Sequence, residues 1–108
     1  MMQANEIQKR FSNIERSIAQ ASKACRSNAD MPQEVKDCVQ QLDRQTDKAR
    51  QELQSQDETR IRQCVDQLEE LSDRAEQTAE SAEGVDDQVK SAIMQAHSEL
   101  SNLKQQLH

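Results

Sequence analysis

Three cysteines, Cys25, Cys38 and Cys64, and two histidines, His97 and His108, carry the thiol and imidazole donors of this 108-residue chain. Thiols of this kind form disulfides, bind metals or sense oxidants. Cys38 and Cys64 hold the same place in two similar stretches, Val35–Leu42 (Val-Lys-Asp-Cys-Val-Gln-Gln-Leu) and Ile61–Leu68 (Ile-Arg-Gln-Cys-Val-Asp-Gln-Leu). Two antiparallel helices that turn near Gln56 set these cysteines about 15 Å apart along the helix axis. A disulfide needs Cα atoms within about 7 Å. Cys25 and Cys38 flank an earlier turn and stand level to within one helical turn, so they are the candidate redox thiols. Small thiols also simply fill space beside Ala and Val.

The remaining donors make no recognisable site. There is no Cys-x-x-Cys and no His-x-x-x-His spacing. Helical di-iron proteins use Glu-x-x-His, and Met94 stands where that glutamate would precede His97. His97 shares its repeat position with Glu15, Asp43 and Glu69, a polar flank, which marks it as a surface histidine. His108 ends the chain. Serines and acids are plentiful, but no nucleophile, base and orienting group fall into a pattern. One glycine, Gly84, cannot form a phosphate-binding loop. The expectation is no catalytic residue, no metal, no cofactor and no enzymatic activity.

The elements that position these groups follow from apolar spacing. A frame of i, i+4, i+7, i+11, i+14 and i+18 is one face of a helix. It selects Ile7, Phe11, Ile14, Ile18, Ala21 and Cys25, then Val35, Val39, Leu42, Thr46, Ala49 and Leu53. It selects Ile61, Val65, Leu68, Ser72, Ala75 and Ala79, with Leu71, Thr78 and Ala82 flanking, and finally Val89, Ile93, Ala96, Leu100, Leu103 and Leu107. The starts at 7, 35, 61 and 89 are nearly evenly spaced, as four similar helices with short turns require.

Breaks fall between the frames. Helix 1 is expected from about Gln3 to Arg26, before the turn-like Ser27-Asn28-Ala29-Asp30. Pro32 pre-sets the next helix, with Asp30 or Met31 as its cap. That helix runs to about Gln54. Ser55-Gln56-Asp57 then breaks the chain, with Asp57 as cap of helix 3. Helix 3 is expected to reach Glu83, with Gly84 as its left-handed terminator. Helix 4 covers Asp86–Leu107, with Asp86 and Asp87 at its positive end. The fold class is all-α, an antiparallel up-down four-helix bundle with coiled-coil-like seams, in one domain over residues 1–108. No Pro or Gly separates Gln33 from Glu83. The alternative is therefore a three-helix arrangement with helices 2 and 3 fused into one rod.

Composition limits the function classes. Hydrophobic residues are 33% of the chain and charged residues 31%, with Phe11 the single aromatic, which disfavours a sheet protein. Residues 1–29 carry a net charge of +3 and residues 57–83 a net of −6, within a total of −6. An acidic chain without interleaved aromatic and basic residues is a poor nucleic-acid ligand. No stretch is long and apolar enough for a membrane span. The N-terminal Met-Met-Gln-Ala-Asn-Glu has neither a basic leader nor an apolar run. The expectation is a cytoplasmic protein with reduced thiols.

The stretch Cys64-Val-Asp-Gln-Leu-Glu-Glu-Leu-Ser-Asp-Arg-Ala-Glu and the tail Ala92–His108 resemble small uncharacterised helical proteins of Burkholderia-like β-proteobacteria. The resemblance implies a cytosolic bacterial protein and transfers no functional residue. Length, acidity and helicity are also similar to small secretion and flagellar chaperones. The functional expectation is a non-enzymatic protein-interaction or structural module. A seam with Ala21, Thr46, Ala49, Ser72, Ala75, Ala79 and Ala96 leaves a thin interior that can open to grip a partner helix or self-associate. The alternatives are a thiol-based redox or metal-responsive regulator using Cys25 and Cys38, and a secretion-chaperone-like protein.

Overall fold

Each apolar frame coils into one amphipathic helix. The structure is a computed structural model and describes residues 4–28, 30–55 and 57–107. Gln3, Ala29, Gln56 and His108, expected at helix ends and turns, lie outside the described residues. The helices are α1 (Ala4–Ser27), α2 (Gln33–Gln54), α3 (Glu58–Ser81) and α4 (Asp87–Leu107). α1 packs on α2, α2 on α3, α3 on α4 and α4 on α1. Among the described residues, no Cα of α1 comes within 8 Å of one in α3, nor of α2 within 8 Å of one in α4. The four helices thus stand in cyclic order, an up-down bundle of 42 × 20 × 17 Å. Helices 2 and 3 are separate, so the fused-rod alternative does not hold.

The cap at Asp57 explains the separation. Asp57 has an extended backbone, and its Oδ1 accepts from Thr59 N–H at 3.0 Å and Arg60 N–H at 3.3 Å. Those are amides the first helical turn leaves without an intrahelical partner. At the other end of the bundle, Asp86 plays the same part for α4: its Oδ1 accepts from Gln88 N–H at 2.7 Å.

Two expected boundaries shift. Pro32 is itself the N-cap of α2, with ψ of 136°, instead of following a cap at Asp30 or Met31. Its fixed φ suits an extended residue as well as a helical one, and its carbonyl accepts from Lys36 N–H at 3.2 Å. Met31 is buried in the core. α3 stops at Ser81, two residues before Glu83, because Ala82 turns extended at ψ 143°. Gly84, at φ +80°, then supplies the left-handed residue within the turn and not at the helix end itself.

Every residue of the four frames is buried except Leu107, which is half-buried. The apolar seam residues of the four helices, large branched and small together, form one continuous core. The polar members of the seam are satisfied within their own helix. Thr46 Oγ1 donates to the Leu42 carbonyl at 2.6 Å and Ser72 Oγ to the Glu69 carbonyl at 2.8 Å. Among the described residues, no helix is long and apolar enough to cross a membrane.

Candidate functional site

Acidic and basic side chains meet on the flank where α3 faces α4. Glu69, Asp73 and Glu76 are spaced i, i+4 and i+7, so helical geometry stacks them along one side of α3. On α4, Lys90, His97 and Lys104 recur every seven residues and form a matching column. Leu68, Ser72 and Ala75 on α3 and Ile93, Ala96 and Leu100 on α4 are buried beside these columns and fix their spacing.

His97 is the centre of this arrangement. Its Nδ1 lies 2.5 Å from Glu76 Oε2. Its Nε2 lies 3.3 Å from Glu69 Oε1 and 3.8 Å from Asp73 Oδ1. Lys104 Nζ stands 3.6 Å from the other oxygen of Glu69, and Ser101 Oγ donates to Glu69 Oε1 at 3.4 Å. The His97 side chain is 23% exposed, and those of Glu69 and Glu76 are 20% and 21% exposed. Asp73 is more open, at 50%. Asp73, Glu76 and His97 each offer one donor atom, all within 4.8 Å of one another.

The expectation of a surface histidine on a polar flank therefore understates His97. The position is polar, but the ring is half-buried and faces carboxylates through both nitrogens. The signal was in the sequence: Lys90, His97 and Lys104 at heptad spacing, with an acidic i, i+4, i+7 row on the preceding helix.

The thiols are placed differently. Cys25, Cys38 and Cys64 are all free. Cys25 is buried in the core, and desolvation pushes its pKa up, partly offset by the Lys36 ammonium. Cys38 is half-buried and turns toward α3, where its Sγ lies 3.8 Å from Thr78 Oγ1. Cys64 is half-buried too; burial raises its pKa, and the Glu52 charge adds to the rise. A thiol held protonated in this way is a weaker nucleophile and metal ligand at neutral pH. Phe11 is core, at 1% exposure, while Met94 is the one large hydrophobic residue exposed among the described residues, at 52%.

The charge asymmetry of the sequence also gains a geometry. The basic segment forms α1 and the acidic segment α3, on diagonal corners of the bundle. Among the described residues the two helices do not pack directly against each other. Between α1 and α2, Arg50 pairs with Glu15 at 2.9 Å. No protein family, curated protein or solved structure matches this chain.

Proposed function

We propose that this protein is a non-enzymatic interaction module that meets a basic protein partner along the outer face of α3. The diagonal placement of the acidic and basic segments carries this proposal. Had α1 packed on α3, their charges would have offset one another inside the bundle. Instead Glu58, Glu70 and Glu80 of α3 are exposed, on the corner opposite α1. The surface is predominantly acidic although Arg60, Arg62 and Arg74 also lie on α3, and an excess of one sign raises encounter rates with a complementary partner.

The small seam residues Ala21, Thr46, Ala49, Ser72, Ala75, Ala79 and Ala96 are all buried. This filled interior favours docking on the surface over opening of the bundle. The raised pKa of Cys25 weighs against a regulator that works through a Cys25–Cys38 thiol pair.

A photo-crosslinking residue placed in cells at Gln77, exposed on α3, tests the proposal. The expected result is one discrete adduct to a basic protein that disappears with Glu70→Lys and Glu80→Lys together. The same probe at Gln40 on α2 should give none. Adducts unaffected by the charge reversal, or no adduct from α3, would sink it.

A further inference from the structure

We infer that the α3–α4 flank is a binding site for one divalent first-row transition-metal cation, Zn²⁺ being the best match, held by Asp73, Glu76 and His97. The donors face α4, whereas Glu70 of the outer face stands off their column, so the inference does not depend on the partner reading. The donors come from two helices, and the nitrogen donor makes the cluster more than a patch of acids. An imidazole with carboxylates suits Zn²⁺ and its neighbours, whereas Mg²⁺ and Ca²⁺ prefer oxygen donors alone.

Charge and donor geometry both point to a cation. Three carboxylates, Glu69, Asp73 and Glu76, surround the ring, and Lys104 is the single ammonium in contact with them. Asp73, Glu76 and His97 each present a donor atom, and these atoms lie within 4.8 Å of one another, close enough for one cation to bridge ring and carboxylates. Glu69, tied to Ser101 and Lys104, is placed to accept from the ring nitrogen that does not bind the metal, the usual partner of a ligating histidine. Water fills the remaining coordination positions on the open Asp73 side.

Titration calorimetry of the whole chain with Zn²⁺ alone, followed by Co²⁺ absorption, tests the site. The expected result is one Zn²⁺ per chain and Co²⁺ d–d bands without a thiolate-to-cobalt charge-transfer band. His97→Gln and Glu76→Gln should each weaken binding at least about tenfold, with helical circular dichroism retained. Glu70→Gln, on the outer face, and His108→Ala should leave affinity unchanged. Absence of binding, affinity retained in both His97→Gln and Glu76→Gln, or a thiolate charge-transfer band would overturn the inference. The last outcome would assign the metal to the cysteines instead.

Discussion

The carboxylate of Asp57 accepts the amide of Thr59 at 3.0 Å and so caps α3 where the chain leaves α2. Asp57 falls on the continuing seam, four residues after Leu53 and four before Ile61. With no Gly or Pro between Gln33 and Glu83, the cap is the main local signal that stops one long helix. Asp57→Ala should cost about 1 kcal/mol of stability in urea titration. Asp57→Leu removes the cap and completes the seam. It should convert part of the protein to a helix-swapped dimer, visible as a doubled mass in sedimentation equilibrium. A strictly monomeric Asp57→Leu variant of unchanged stability would show that the turn is held by something else.

The buried thiols make stability depend on alkaline pH. Cys25 and Cys64 both have pKa values above the ordinary 9.0 of a thiol. The folded chain thus keeps these protons after the unfolded chain has lost them. Their contribution is complete below pH 9.0 and is lost as pH rises through the folded-state values. Unfolding free energy measured from pH 8 upward should fall more steeply for the wild type than for Cys25→Ala. Parallel curves would mean that Cys25 ionises as readily folded as unfolded.

Within the core, identical burial does not mean equal weight. Leu68 and Ser72 are both essentially inaccessible, at 1% and 0% exposure. Leu68→Ala removes apolar contacts and leaves a cavity, so a loss of about 2–5 kcal/mol is expected. The Ser72 hydroxyl hydrogen-bonds within its own helix, to the Glu69 carbonyl. Ser72→Ala loses that bond but gains helix propensity, and should be neutral or stabilising by a few tenths of a kcal/mol. Chemical denaturation of both variants checks the pair. A loss of more than about 1 kcal/mol for Ser72→Ala would reveal a second role for the hydroxyl.

What was legible in the chain was its apolar register. Thr46 and Ser72 are polar by type, yet the frame placed them inside, and both are buried. Register is set by helical geometry, which sequence spacing reports directly. The ends of helices were less legible. Pro32 is compatible with a cap as well as with a first turn, and Ala82 carries no local signal for its extended backbone. The flank around His97 was hardest to see. Spacing within α4 says which face His97 shares, but the three carboxylates it meets belong to α3, and only the packing of the two helices brings them together.

That packing makes Lys104 a sensitive position despite its exposure. Its ammonium lies 3.6 Å from Glu69 and offsets part of the negative charge on the α3 flank. Lys104→Glu replaces this attraction with repulsion across the same gap. Exposed pairs contribute about 0.2–1 kcal/mol, and reversal adds a like-charge term of similar size. A net loss of about 1 kcal/mol is expected at low ionic strength. The Debye length falls from about 30 Å at 0.01 M salt to about 3 Å at 1 M, so added salt should recover most of that loss. Lys104→Gln, which removes the charge without reversing it, should lie between the two. If Lys104→Glu were equally destabilised at both salt concentrations, the effect would belong to packing of the lysine stem against the bundle and not to the charge it carries.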